Sequence, residues 1–171
     1  MENSKYTALS NKTKPNKDLI NYILCNVDKD KTIIDWGAGH GRHSKALRKL
    51  GYKVWSYDPY NGKDVDGYCN VSKKLPDYAH DVIFSAYVLN VIPQHRFNET
   101  VLLMTNMIKK NGMIIHKVRE DNDLKKKTKE TNKNYVPGKK GSIQRYVDSI
   151  EFFDTGYTRN KKFKLYICNF V

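Results

Sequence analysis

Residues 35–41 read Asp35-Trp36-Gly37-Ala38-Gly39-His40-Gly41 and follow directly on the apolar run Thr32-Ile33-Ile34. Glycine at alternate positions lets a backbone turn tightly and approach a ligand with no side chain in the way. The acid ahead of the turn tells against a phosphate ligand, because a carboxylate beside a polyanion is repulsive. A second acid, Asp58, ends the strand-like run Tyr52-Lys53-Val54-Trp55-Ser56-Tyr57. In nucleotide-binding α/β folds an acid at that place grips a pair of ribose hydroxyls. The chemistry these residues could do is to hold a ligand built on an adenosine ribose.

The spacing narrows the ligand. A dinucleotide fingerprint reads G-x-G-x-x-G and presents a helix N-terminus to a pyrophosphate. Here the third glycine comes one residue early and Arg42 stands in its usual place. An acid beside the loop suits a cofactor carrying an ammonium group and a sulfonium. The D-x-G-x-G-x-G loop with a second-strand acid resembles the first motif of class I S-adenosylmethionine (SAM)-dependent methyltransferases. The bland alternative is a tight strand-to-helix turn with no ligand.

The elements that must position these residues alternate between strand and helix. Pro15 suits the first turn of a helix whose apolar stripe is Leu19, Ile20, Ile23 and Leu24. A strand at 31–35, the glycine turn and a helix to about residue 50 follow, with Gly51 ending that helix. Residues 59–75 are loop-like, with a short strand expected near Gly67-Tyr68-Cys69. Asp81-Val82-Ile83-Phe84-Ser85-Ala86 suits a central parallel strand covered on both faces. Pro93 opens a helix with Phe97, Val101, Met104 and Ile108 on its core face. Lys109 and Lys110 fall in its last turn and Gly112 just past it. Met113-Ile114-Ile115-His116-Lys117-Val118 is the next strand. A short amphipathic piece at 143–153 precedes a last strand pair at about 151–158 and 162–170. This order predicts one doubly wound, mostly parallel α/β sheet of seven strands with an antiparallel last strand.

With 171 residues the chain is long enough for one core and too short for two. Residues 1–14 read as a flexible basic arm, and 15–171 as a single domain carrying a basic loop at about 119–142. Mean hydropathy is −0.71, and no apolar run reaches the ~18 residues of a membrane span. The first residues lack the layout of a signal peptide, so the expected location is cytoplasmic, away from membranes. Cys25, Cys69 and Cys168 have neither metal spacing nor an even count, and His40 and His43 have no third ligand nearby; no metal site is expected. The 31 Lys and Arg against 18 Asp and Glu give a net charge of +13. Such a field attracts polyanions, and nucleic acid, DNA or RNA, is the expected partner. A generally lysine-rich proteome would also explain it. The abundance of Lys, Asn, Ile and Tyr fits a low-GC bacterium or its phage.

Ligands of such sheets lie outside the carboxyl ends of the strands. The methyltransferase resemblance covers nearly the whole chain and implies SAM as cofactor. It implies that Asp35, Gly37, Ala38 and Gly39 form the cofactor loop, with Gly41 opening the helix, and that Asp58 holds the ribose. Asn70 falls near the adenine contact, where a turn asparagine is equally apt, and Ser85 joins the cofactor set. Ser85-Ala86-Tyr87-Val88-Leu89-Asn90-Val91-Ile92-Pro93 is similar to the segment after the fourth strand in small phage and mobile-element methyltransferases. Better-defined families are a poorer match. Amino-methylating base enzymes carry N/D-P-P-Y/F here, cytosine-C5 enzymes a Pro-Cys turn, and ribose 2′-O enzymes an Asp where Ser85 stands.

Methyl transfer from a sulfonium is an in-line displacement in which the protein mainly aligns donor and acceptor. Tyr87 and Asn90 face the expected cleft as stacking or hydrogen-bonding groups, or else cap the next helix and fill the core. His116 titrates in the range of a base, although a strand histidine is more often structural. Lys125, Lys126, Lys127, Lys129, Lys133, Lys139 and Lys140 suit a phosphate clamp at the rim, or a solvated insertion. The sequence therefore points to a SAM-dependent methyltransferase acting on nucleic acid. Its rivals are a small-molecule or protein methyltransferase, and a catalytically silent SAM-binding or DNA-binding module.

Overall fold

A computed structural model describes residues 14–92, 94–119, 135–137, 143–145 and 156–171. The first helix, α1 (Lys17–Asn26), is capped by Asn16, whose side chain accepts from the Leu19 amide at 3.0 Å. Pro15 therefore precedes the cap and does not enter the first turn. Leu19, Ile20, Tyr22 and Ile23 are buried, while Leu24, expected in the stripe, is 43% exposed. The chain continues through β1 (Thr32–Trp36), α2 (Arg42–Lys49) and β2 (Lys53–Tyr57). Gly51 adopts φ +91° after α2, the left-handed turn that ends a helix most cheaply at glycine.

A two-residue strand, β3 (Val71–Ser72), lies slightly beyond the place expected for it, and β4 (His80–Ala86) follows. Helix α3 (Gln94–Asn106) then gives way to β5 (Ile108–Lys117). This corrects the helix end. Ile108 is not on the helix but pairs with His80, and the register slips between His80 and Val82. Gly112 does not cap a helix; a Cβ there would lie 2.8 Å from the Asp81 carbonyl, so the close passage of two strands requires it. Two short strands, β6 (Tyr135–Pro137) and β7 (Ile143–Arg145), pair with each other, and β8 (Thr158–Asn160) and β9 (Leu165–Asn169) form a hairpin. The clamp lysines, the rest of the basic loop and residues 1–13 of the arm lie outside the described residues.

Among the described residues the main sheet has seven strands in the order β3-β2-β1-β4-β5-β9-β8. Only β9 runs against the others, since it is antiparallel to both β5 and β8. This is the expected doubly wound α/β sheet.

The sheet is buried on both faces, which explains its near-continuous apolar strands. Ile33, Val54, Val82, Phe84 and Ile115 pack with Leu19, Ile23 and Leu47 of α1 and α2. Their neighbours Ile34, Ile83 and Ile114 pack on the other face with Phe97 and Met104 of α3. At the carboxyl ends of β2, β1, β4 and β5 one row runs Tyr57, Trp36, Ser85, His116, and it continues into Tyr166 at the start of the antiparallel β9. The polar pair in that row, Ser85 and His116, is fully buried. No helix among the described residues is long and apolar enough to cross a membrane.

Candidate functional site

The turn after β1 is built by three glycines in the left-handed region, Gly37 at φ +71°, Gly39 at +57° and Gly41 at +67°. Its amides bond within the protein. Gly37 and Ala38 both donate to the Tyr57 carbonyl, at 2.8 and 2.9 Å, and Gly41 donates to the Ala38 carbonyl at 2.8 Å. Gly39 donates to Oδ2 of Asp58 at 2.9 Å. A pyrophosphate cradle needs such amides pointing at the ligand. Here three of them are turned onto Tyr57 and Asp58 at the end of β2, the fourth closes on the turn itself, and a carboxylate stands beside the loop. The donor set is wrong for a polyanion and suits a ribose-bearing cation.

Asp58 is the centre of this arrangement. Its Oδ1 accepts from the Tyr60 and Asn61 amides and from the Asn61 side chain, and among the described residues Oδ2 takes only Gly39. A carboxylate oxygen accepts two bonds readily, so Oδ2 keeps a place for a ligand hydroxyl. Tyr60, two residues on, is 41% exposed beside it, and its hydroxyl accepts from Arg96 at 3.0 Å. The first strand pairs with β2 on one side and β4 on the other. A bond from the end of β2 to the start of α3 therefore crosses over the glycine turn. Tyr60 escaped the sequence reading; its signal was an aromatic ring two places after the acid. Asn70 lies on the exposed turn before β3, with its amide bonded to the Asp66 carbonyl.

Asp35 is not presented to the cleft. It is 1% exposed, and its Oδ2 accepts from the amide and hydroxyl of Ser44, at 3.2 and 2.5 Å. Gly41, the N-cap of α2, has no side chain to satisfy that turn, so Asp35 caps the helix from the strand. Burial lifts its carboxyl to about 6, against the pull of the Ser44 bonds and Arg48. Arg48 was also missed. It holds the Val54 and Cys69 carbonyls and the Ser56 hydroxyl, and bonds the Gly67 carbonyl, so it ties the loop after Asp58 to β2. A basic residue in the last turn of a helix has an ordinary dipole role, so nothing local in the sequence marks it.

On the β4 side, Ser85 and His116 depart from expectation. The Ser85 hydroxyl is within 2.8 Å of His116 Nδ1, and His116 Nε2 is 3.0 Å from the Tyr157 hydroxyl. His116 is fully buried, and burial pulls its pKa down to about 3. A neutral imidazole engaged at both nitrogens beneath the cleft has no titration near neutrality to offer. Ser85 is equally enclosed, so its side chain supports the floor and does not line the cleft. Asn90 is buried as well, with its Oδ1 accepting from the Arg119 amide at 2.9 Å. It joins the segment after β4 to the segment after β5.

Tyr87, just past the end of β4, is half-buried and at φ +65°, a conformation that strains a bulky residue. Its amide donates to the Lys117 carbonyl at 2.7 Å, and its hydroxyl accepts from Asn16 at 3.0 Å. Lys117 itself is buried, with its ammonium bonded to Asp18 and to the carbonyls of Phe163 and Lys164. The first turn of α1 is thus moored to the ends of β4 and β5. Among the described residues no cluster of three His, Cys, Asp or Glu side chains could hold a metal ion.

Comparison with known proteins agrees with this geometry. The methyltransferase domain family matches residues 9–152. Among solved structures, the glycopeptide N-methyltransferase MtfA complexed with S-adenosylhomocysteine is 10% identical, with a TM-score of 0.61 over 90% of this chain and 88% of that one. The 1,6-didemethyltoxoflavin-N1-methyltransferase of Burkholderia thailandensis, bound to 1,6-didemethyltoxoflavin and S-adenosylhomocysteine, is 11% identical, with a TM-score of 0.65 over 91% and 77%. A SAM-dependent methyltransferase from Clostridium acetobutylicum is 11% identical, with a TM-score of 0.62 over 91% and 92%. Likeness at these identities establishes the fold. No curated protein matches the chain.

Proposed function

Since this chain belongs to the methyltransferase domain family, we propose that it is a SAM-dependent methyltransferase that binds its cofactor over residues 37–41 and modifies nucleic acid. The observation that carries the cofactor is the loop whose amides are bonded within the protein, to Tyr57, Ala38 and Asp58, with the Asp58 carboxylate beside it. Bound SAM supplies an electrophilic methyl group on a sulfonium. Asp58 accepts from the ribose hydroxyls through Oδ2, a charge-assisted bond. Tyr60 offers a ring face to the adenine, and Asn70 an amide at its edge. Gly37 and Gly39 let the backbone approach the cofactor where a side chain would stand. Asp35 acts through α2, holding the turn in place.

In-line transfer needs alignment more than acid or base catalysis. The residues after β4 and β5 therefore position the acceptor, with Tyr87 at the rim and Asn90 holding the two segments together. His116 is a support for that floor in this reading and not a base.

Nucleic acid as the acceptor is supported by the net charge of +13. A second reading, a small-molecule acceptor, is favoured by the glycopeptide and toxoflavin-precursor enzymes that share the fold. The test is incubation with SAM labelled on its methyl group and, in parallel, unmethylated DNA, total RNA and a metabolite extract. Label in a nucleic-acid fraction supports the first reading. Label confined to the extract transfers the proposal to the second, and no label anywhere with SAM bound points to a silent binding module.

A further inference from the structure

Two sides of the cleft carry different chemistry. The β2 side holds Asp58 and Tyr60, a carboxylate and a ring for adenosine. The β4–β5 side holds Tyr87 and Arg119, and the Arg119 guanidinium carbon lies 5.9 Å from the Tyr87 ring centroid. Both partners are held from behind. Tyr87 is fixed through its amide and hydroxyl by Lys117 and Asn16, and the Arg119 amide is fixed by Asn90. Backbone strain of this kind persists only where the surroundings over-determine it, and it clusters at ligand clamps. Val88, next in the chain, packs against Gly37, so the pair stands one residue from the cofactor loop. Among the described residues no ion pair joins Arg119 to a carboxylate.

We propose that Arg119, laid over Tyr87, is the specificity-determining anchor for the acceptor, and that the acceptor is an aromatic ring carrying an anionic group, as in a nucleotide. A planar guanidinium meets a phosphate with a pair of donors and lies flat on a ring, which an ammonium cannot do. The Tyr87 ring carries the guanidinium at cation–π distance and so fixes where its charge stands. This rests on the methyltransferase reading only in calling the bound molecule an acceptor. The same chemistry serves a nucleotide within a strand and a free mononucleotide.

The test uses the full chain, with two probes: a fluorescein-labelled short single-stranded oligonucleotide and adenosine 5′-monophosphate as competitor. SAM affinity is measured by calorimetry on the same samples. R119A weakens oligonucleotide binding by about tenfold and lowers the slope of log affinity against log salt by about one contact. SAM affinity stays within about twofold of the parent. R119K restores the salt slope and only part of the affinity, because the charge returns without the flat stack. Competition by the mononucleotide at concentrations near its own affinity marks a free acceptor, and failure to compete marks a strand; both support the anchor. An R119A protein that binds the oligonucleotide with unchanged affinity and slope overturns it. So does a parent chain that binds neither probe, or an R119A variant that loses SAM and probe in equal measure. Failure of the methyltransferase reading is seen separately, as a parent chain that binds the probe and not SAM.

Discussion

Val88 fills the space that a side chain on Gly37 would need. A Cβ at Gly37 would stand 2.4 Å from Val88 Cγ2, and the residue is held at φ +71°. The preceding residue, Tyr87, is itself turned to φ +65°, so the two left-handed residues fit the segment after β4 against the turn after β1. The turn after β1 and the segment after β4 are one packed unit.

Replacing Gly37 by Ala is therefore doubly unfavourable, through a steric clash and a left-handed backbone that costs about 1–2 kcal/mol on its own. G37A is expected to lower the melting temperature and to weaken SAM by more than about tenfold. The G37A/V88A double variant relieves the clash but not the backbone strain, so it recovers only part of the loss. Calorimetry and thermal melts on the two variants check this, and full recovery in the double variant would remove the backbone from the account.

Asp58 serves ligand and loop at once. D58A deletes the acceptor for Gly39, Tyr60 and Asn61 as well as the proposed ribose contact. SAM affinity should fall by about a hundredfold or more, since hydrogen bonds to a charged group contribute about 1.5–3 kcal/mol each. The melting temperature should fall with it. Calorimetry showing unchanged affinity would remove Asp58 from the cofactor site.

Asp35 gives a pH signature with a definite sign. Its carboxyl lies at about 6 in the folded protein against an ordinary 3.8, so the native state holds the proton more tightly. This contribution to stability is present at low pH and is lost as pH rises from about 4 to about 6. Roughly two pKa units correspond to about 3 kcal/mol. Relative to the parent, D35N should therefore gain about 2–3 kcal/mol on going from about pH 4 to about pH 7. Denaturant melts at the two pH values measure it, and parallel curves would contradict the burial of an ionisable carboxyl.

His43 and His116 have the opposite sign. Burial pulls each imidazole from 6.5 to about 3, so the stability they allow is full above pH 6.5 and declines as pH falls toward 3. His43 also leaves Nε2 buried with no hydrogen-bond partner among the described residues. An apolar replacement removes both liabilities. H43L should be more stable than the parent by about 1 kcal/mol at neutral pH, and by more in acid. A destabilised H43L at neutral pH would mean that the ring is needed for its edge contact with Phe84.

Turnover should not depend on His116 as a base. Loss of a general base slows a reaction by about 10²–10⁴. H116Q is expected to lower the melting temperature, since the bonds to Ser85 and Tyr157 are disturbed, and to reduce kcat by less than tenfold or so. The parent's kcat/KM profile should show no inflection from this residue near pH 6.5. A hundredfold loss with a flattened profile would restore the catalytic role.

These residues also show what the sequence makes legible. The glycine turn, Asp58 and the strand order are local or periodic features, and each is written in a short stretch of chain. Asp35 was legible as an important acid but not as a helix cap, because its partner Ser44 is set by how α2 packs on β1. His116 could not be told from a base until β9 and Tyr157 closed over it. Ile108 followed the helical spacing of Phe97, Val101 and Met104, yet pairing with His80 drew it into the sheet. Tertiary pairing outweighed the local pattern there.

The internal bonding of the glycine turn has a kinetic consequence. A loop whose amides are already matched to Tyr57, Ala38 and Asp58 is shaped before any cofactor arrives. A cofactor bound there as proposed has no backbone to organise, so its capture carries little ordering entropy. Discrimination among adenosine-bearing molecules then falls to how fast each one leaves.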